Sequence, residues 1–161
     1  MAAVSPARRA SRLTPGRPGP VVVGVDGTYR SIGALRWAAD EARQRGVGLL
    51  AVHACDPWPA VAPYAPVHPQ APAPDAVLGS ETEHLAELVQ VALGPDPGMP
   101  VRQVCEPTSP IRALLAYGRG ACLLVLATSA DLATGTGLGS TARACVRHPP
   151  CPVVVLPEGS W

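Results

Sequence analysis

Three glycines at alternate positions, followed by two hydroxyl residues, end the segment Ala127–Thr141, ATSADLATGTGLGST. The segment follows an apolar run that is typical of a buried strand, and Ser140 can begin a helix. Glycines let backbone amides approach a phosphate closely, and the free N–H groups at the start of a helix bind anions. The spacing therefore predicts a loop that holds phosphate, or the remnant of such a loop.

Two of the five cysteines are also candidates for chemistry. The odd number and the absence of Cys-x-x-Cys argue against a disulfide framework or a zinc site. Cys55 lies just past the end of the second predicted strand and Cys105 just past the end of the third, and these two strands should be neighbours. Adjacent strands are about 5 Å apart, so the two thiols could form a redox-sensitive pair. The alternative is two unrelated thiols. His53 is predicted to be a hydrogen-bonded residue of the core or crevice wall, and no metal is expected because the histidines lack ligand spacing.

The chain alternates between strand-like and helix-like segments. Predicted strands begin at Val21, Gly48, Pro100, Cys122 and Pro152. Predicted helices have the N-terminal residues Ser31, Ser80, Ser109 and Ser140. Strict alternation with fully apolar strands predicts an α/β fold, a doubly wound five-stranded parallel sheet with helices on both faces.

Ligands of such sheets bind beyond the carboxyl ends of the strands, where the winding reverses. If the first strand is central and the fourth is its neighbour, Asp26 faces the segment Ala127–Thr141 across this crevice. Asp26 is then a candidate ligand contact. Its alternative role is to cap the following turn, because Asp-Gly is a common turn sequence.

Two segments do not fit the alternation. Residues 1–20, with four arginines and no acid, are predicted to be a disordered basic tail rich in Arg and Pro. Residues 56–79 contain seven prolines and are predicted to form an extended arm, partly polyproline II. Trp58 and Tyr64 on this arm could cover the crevice, contact a partner, or be incidental.

The remainder, residues 21–158, is predicted to be one domain, followed by a short tail at 159–161. Outside the basic tail, the chain contains nine arginines and twelve acidic residues. This mildly acidic composition argues against nucleic-acid binding. No apolar run reaches the roughly 18 residues of a membrane span, and no apolar segment of a signal peptide follows the N-terminal arginines. We therefore expect a cytoplasmic protein without nucleic-acid or membrane partners.

Four segments resemble the universal stress protein family. The first begins at Val21 and the last ends at Glu158, and the tail and the arm are left out. The segments are VVVGVDGTYRSIGALRWAADEARQRGVGLLAVHA, EPTSPIRALLAYGRGACLLVLATS, GLGSTARACVRH and PCPVVVLPE. The resemblance implies strand order 3-2-1-4-5 and a homodimer. The expected dimer contact is the last strand, Pro152–Pro157, because four consecutive apolar residues at a sheet edge are an aggregation hazard unless covered.

Members of this family that bind ATP carry Gly-x-x-Gly, nine residues and then Gly-Ser or Gly-Thr after the fourth strand. They also carry an acid at the end of the first strand, and the backbone just after a histidine of the second strand meets the base. The resemblance thus implies that the ATP-binding positions are Asp26, Ala54, Ala127, Ala130, Gly137, Gly139, Ser140 and Thr141.

The sequence departs from the family pattern at the start of this loop. Ala127 and Ala130 stand where the family has glycines, and only eight residues separate Ala130 from Gly139. A Cβ at either alanine narrows the approach to phosphate, although Gly135 and Gly137 restore some backbone freedom. The sequence therefore leaves open whether ATP binding is retained or lost.

Three classes of function follow. The first is a stress-response regulator in which ATP occupancy alters dimer or partner contacts. The second is a related domain without nucleotide that acts through dimerisation and an unknown protein partner. The third, an enzyme, is disfavoured because the sequence lacks a Gly-x-x-x-x-Gly-Lys loop, a Gly-x-Gly-x-x-Gly after the first strand and an evident nucleophile–base pair. At most a weak incidental ATPase activity is expected.

Overall fold

The computed structural model describes residues 18–55, 74–128 and 137–157. In these ranges, strands and helices alternate as β1 (Val21–Val25), α1 (Arg30–Arg45), β2 (Leu49–Ala54), α2 (Pro74–Leu93), β3 (Val101–Glu106), α3 (Pro110–Gly118), β4 (Leu123–Ala127), α4 (Ser140–Arg147) and β5 (Val153–Leu156). The strands are all parallel, in the order β3-β2-β1-β4-β5. The predicted doubly wound sheet and its strand order are confirmed.

Successive residues of the central strand face two different helical layers. Val21 and Val23 pack in a core with α1 and α2, whereas Val22 packs in a second core with α3 and α4. All three valines are completely buried. Helices on both faces therefore explain why the first strand is a continuous apolar run rather than an alternating one.

Helix ends follow the sequence signals in part. Ser109 accepts a hydrogen bond from the Arg112 amide and precedes a proline at the first position of α3, as predicted. The prediction that Ser31 caps α1 is wrong. The N-cap residue is Tyr29, two positions earlier, and the Ser31 hydroxyl in the first turn donates to Asp26 instead.

The predicted arm is wrong at its C-terminal end. Residues 74–79 belong to α2, which begins at Pro74 rather than at Ser80. Proline is tolerated in the first turn of a helix, and the residues from Asp75 to the end of α2 include no further proline to remove an amide donor. The rest of the arm, with its two aromatic residues, lies outside the described residues.

Residues 18–20, which the sequence assigned to the basic tail, contact the sheet and the loop before β4. The Pro20 carbonyl oxygen accepts a hydrogen bond of 3.0 Å from the Cys122 amide. A Cβ at Gly19 would lie 1.7 Å from the carbonyl oxygen of Gly120, so only glycine permits this approach. The remainder of the predicted tail and residues 158–161 lie outside the described residues. Within the described ranges, no helix is long and apolar enough to cross a membrane.

Candidate functional site

A cavity of about 170 Å³ lies at the carboxyl ends of β1, β2 and β4, between the sheet and the starts of α3 and α4. Four of the sequence-predicted binding residues line it: Asp26, Ala54, Ala127 and Thr141. They come from four different elements or their ends, and the strand order β2-β1-β4 brings them together. The predicted crevice between the first and fourth strands is therefore present.

The sides of the cavity that are formed by the sheet and by α3 are apolar. Gly24 of β1 contributes no side chain, and a Cβ there would lie 2.8 Å from Cδ2 of Leu126 and 3.1 Å from Cδ2 of Leu114. Pro110, in the first turn of α3, and Val52 of β2 complete this wall. Such a surface suits the flat, largely apolar face of an aromatic ring.

Asp26 is held in place by the turn that follows β1. Its Oδ1 accepts hydrogen bonds from the Thr28 amide at 3.0 Å, the Thr28 hydroxyl at 2.7 Å and the Ser31 hydroxyl at 2.7 Å. The Asp26 amide in turn donates to the Ser31 oxygen. The turn-capping role proposed as an alternative is thus present, and the same residue also lines the cavity.

The charge of Asp26 follows from these contacts. Partial burial raises the pKa of the Asp26 carboxyl, but the hydrogen bonds from Thr28 and Ser31 outweigh burial and lower the pKa below its ordinary value. The side chain is therefore an ionised carboxylate at neutral pH, which only accepts hydrogen bonds. Such a group matches the hydroxyls of a sugar and repels a phosphate.

The start of α4 is electropositive, in contrast to the negatively charged Asp26 carboxylate. Its N-cap residue, the buried Gly139, has no side chain with which to cap the helix, and the Arg143 amide makes a 3.0 Å bond to its carbonyl oxygen. The amides of Ser140 and Thr141 precede this bond and have no partner within the helix. These N–H groups and the helix dipole favour an anion, and Thr141 lines the cavity.

The loop that joins β4 to α4 is described only at its two ends. Ala127 is the last residue of β4, pairs with Leu156 and is half-buried. Gly137 has φ 65°, in the left-handed region that favours glycine. Ala130 lies outside the described residues. The helix α4 begins at Ser140, and Gly137 and Gly139 lie just before it. None of these three residues lines the cavity.

Sequence reasoning missed several residues of this site. It assigned Ser31 to a helix cap and did not connect it with Asp26, five residues earlier, although both are polar residues that flank one turn. Pro110 and Leu114 belong to the third helix, and the sequence did not indicate that this helix lies over the crevice. Their contribution depends on how α3 packs on the sheet, which local patterns do not report.

His53 lies on the opposite face of the sheet from the cavity, toward α2. It is 7% exposed. Its Nδ1 donates to the Val25 carbonyl oxygen at 2.8 Å, and its Nε2 lies 2.9 Å from Oε2 of Glu81. The prediction of a hydrogen-bonded buried histidine is confirmed. The described residues contain no group of three or more His, Cys, Asp or Glu side chains that could hold a metal ion.

Solved structures of known proteins share this architecture. A universal stress protein in complex with cAMP is 21% identical, with a TM-score of 0.64 over 85% of this chain and 94% of that chain. The universal stress protein from Archaeoglobus fulgidus in complex with dAMP is 22% identical, with a TM-score of 0.58 over 84% of this chain and 95% of that chain. At these identities, the similarity concerns the fold.

Sequence comparison extends the relationship beyond the fold. Universal stress protein Rv2005c of Mycobacterium tuberculosis is 31% identical over 144 residues, which are 84% of this chain and 47% of that protein. The chain thus spans about half the length of the curated relatives it matches. The model of the universal stress protein family matches residues 19–157. Since this match covers nearly all of the α/β domain, the chain belongs to the universal stress protein family.

Proposed function

We propose that this chain binds an adenine nucleotide in the cavity at the ends of β1 and β4, and that occupancy of the cavity alters its contacts with a second copy or another protein. The observation that carries the proposal is the convergence of three chemically different surfaces. An apolar wall, the Asp26 carboxylate and the amino end of α4 all meet at one cavity. Those surfaces match the base, the sugar and the phosphate of a nucleotide, respectively.

Each part of the nucleotide has a separate set of contacts in this arrangement. The base packs beside Ala54 and against Leu114, whose side chains line the cavity. The ribose hydroxyls donate to Asp26, which keeps the carboxylate away from the phosphates. The phosphates accept from the amides at Ser140 and Thr141. The complexes of two family members with cAMP and dAMP support adenine as the base.

The size of the cavity limits what the described residues can enclose. Its volume of about 170 Å³ is below the roughly 300–1,000 Å³ of typical small-molecule sites. It therefore accommodates only part of a nucleotide, and the phosphates extend toward the start of α4. This partition makes the phosphate contribution separable from the base and sugar contribution in a binding experiment.

Calorimetric titration of the purified chain with adenosine, AMP and ATP tests the proposal. We expect saturable one-to-one binding of AMP and ATP, with adenosine weaker by roughly tenfold because it lacks charge-assisted bonds to the α4 amides, each worth about 1.5–3 kcal/mol before ordering costs. Guanosine monophosphate is the matched control for the base. Absence of saturable heat with all three adenine compounds at millimolar concentration would contradict nucleotide binding and leave the second function class.

The edge strand β5 favours that second class, a domain that acts through dimerisation and an unidentified protein partner. The carbonyl oxygens of Pro152 and Leu156 accept hydrogen bonds from the amides of Leu124 in β4 and of Thr128 just after it. Backbone groups alternate in direction along a strand, so Val153 and Val155 direct their N–H and C=O groups away from β4. No described strand pairs with that side of β5. A second copy can supply the missing pairs, which supports the proposed homodimer.

Val155→Pro is expected to convert the dimer to a monomer. The substitution removes an outward amide donor while leaving the bonds to β4 in place, because proline is tolerated on the open side of an edge strand. Val155→Thr, which keeps the amide and the β-branched shape, is the matched control and is expected to remain dimeric. Sedimentation velocity at micromolar concentration measures both. A monomeric parent chain, or an unchanged dimer in Val155→Pro, would refute pairing through β5.

A further inference from the structure

Two thiols lie together at the carboxyl ends of β2 and β3, on the face of the sheet opposite the cavity. Cys55 directly follows β2 and its amide donates to the Glu106 carbonyl oxygen at 3.0 Å. Cys105 lies within β3, opposite His53, and not beyond the strand as the sequence suggested. The predicted adjacency of the two strands is confirmed, and the two Sγ atoms are 3.8 Å apart.

The two sulfur atoms are positioned to react with each other. Cys55 and Cys105 are each partly exposed, unlike Cys145, which is completely buried. A disulfide has an S–S length of about 2.05 Å, so bond formation needs an approach of about 2 Å from the observed 3.8 Å. Rotation of the two side chains and a small adjustment of the strand ends can supply this movement.

The surroundings distinguish the two thiols. Burial raises the pKa of Cys105 to about 11, together with the hydrogen bond and the charge of the neighbouring Cys55. Either sulfur can donate the hydrogen bond between them. The raised pKa disfavours the nucleophilic thiolate form of Cys105, so the first reaction with an oxidant is assigned to Cys55.

We propose that Cys55 and Cys105 form a redox-sensitive pair that a hydroperoxide oxidises to an intramolecular disulfide. The Cys55 sulfur attacks the terminal oxygen of the peroxide and breaks the O–O bond, so that Cys55 becomes a sulfenic acid. The leaving oxygen takes the Cys55 proton and departs as water or an alcohol. The Cys105 sulfur then attacks the Cys55 sulfur. The S–S bond forms as the S–O bond breaks, and the released hydroxide takes the Cys105 proton as water. Two thiols have together lost two electrons and two protons to the peroxide.

The disulfide would join the ends of two strands whose cysteines are 50 positions apart in the sequence. Oxidation thus changes the covalent connection between β2 and β3 without requiring a change of strand order. This chemistry is independent of nucleotide binding, because both thiols lie on the α2 side of the sheet. A reducing dithiol would reverse the reaction by exchange and restore both thiols.

The test uses the full chain, treated with hydrogen peroxide, alkylated with a thiol reagent and digested for mass spectrometry. We expect the peptide linked through Cys55 and Cys105 to exceed any other cysteine pairing by at least about tenfold, because preformed proximity raises the effective concentration of one thiol at the other. Dithiothreitol is expected to return both cysteines to the alkylated form. Alkylation of both after peroxide treatment, or predominant pairing with another cysteine, would overturn the proposal.

Single substitutions test the order of the two steps. Cys105→Ser is expected to stop the reaction at the Cys55 sulfenic acid, which dimedone traps as a stable adduct. Cys55→Ser is expected to give no such adduct at Cys105. Cys151→Ser, at another partly exposed cysteine, is the matched control and should retain the cross-link. Equal dimedone labelling of Cys55 and Cys105 in the two variants would overturn the assignment of Cys55 as the first to react.

Discussion

Ala54→Leu is expected to lower the affinity for adenine nucleotides by roughly 50- to 100-fold. The larger side chain would occupy much of the cavity of about 170 Å³ that Ala54 lines. Exclusion of the base would forfeit the burial of roughly 100 Å² of adenine surface, which at about 25 cal/mol per Å² is worth about 2.5 kcal/mol. Calorimetric titration with AMP measures the change. Because the substitution alters no charged group, a loss of affinity does not reflect weaker electrostatic attraction to another surface and indicates binding in this cavity.

Ala116→Leu is the matched control for this substitution. Ala116 is exposed on α3, away from the cavity lining, so the same change in side chain should leave nucleotide affinity within about twofold. Circular dichroism checks that both variants keep the fold. Equal affinity of Ala54→Leu and the parent chain would mean that the base does not enter this cavity.

Restoring the family pattern of the loop after β4 is expected to raise ATP affinity at least about tenfold. The variant combines Ala127→Gly and Ala130→Gly with one glycine inserted after Asp131, which recovers the nine-residue spacing. Two or three additional amide-to-phosphate hydrogen bonds, each worth about 1.5–3 kcal/mol, exceed the extra cost of ordering glycines on binding. Calorimetry with ATP and AMP measures the gain, which should be larger for ATP because the change affects phosphate contacts.

Asp26→Ala in the repaired chain is expected to remove most of this gain, because Asp26 accepts from the sugar in the binding mode that we propose for this cavity. Ala116→Gly, at an exposed helical position, is the control for a general effect of added glycine. Equal and weak heats for the parent, the repaired loop and the Asp26→Ala chain would contradict a nucleotide site. Tight binding by the parent would instead show that Ala127 and Ala130 do not impair phosphate binding.

The outcome of the thiol oxidation experiment does not depend on either of these two predictions of nucleotide binding. Cys55 and Cys105 lie on the α2 face, whereas Ala54 lines the cavity on the α3 and α4 face. Alternation of side chains along β2 puts these neighbouring residues on opposite sides of the sheet. Loss of nucleotide binding in a variant would therefore carry no information about oxidation, and the reverse also holds.

Most of the architecture could be predicted from local patterns. Continuous apolar runs such as Val21–Val23 indicated strands covered on both faces, and a buried, parallel sheet followed from their alternation with helices. The resemblance to a known family supplied the strand order, which places the end of β1 beside the end of β4. Asp26 and the start of α4 were therefore predicted to share one crevice.

Several local assignments failed where two hydrogen-bonding solutions compete. Ser31 can cap a helix or bond to Asp26, and the second contact is the one present. Ser80 was predicted to begin the second helix, yet α2 already begins at Pro74. In each case, the sequence signal was a local preference of only about 1 kcal/mol, which a competing contact or an earlier helix start can override.

The sequence by itself determined the order of elements, the identity of the core strands and the polar residues at their carboxyl ends, because these depend on periodicity and on contacts within a few residues. Only the tertiary structure decided that Leu114 closes the cavity, that Glu81 meets His53, and that two sulfurs lie 3.8 Å apart. Those contacts join residues from separate elements. Their distances depend on strand register and on the packing of helices against the sheet, which no local pattern encodes.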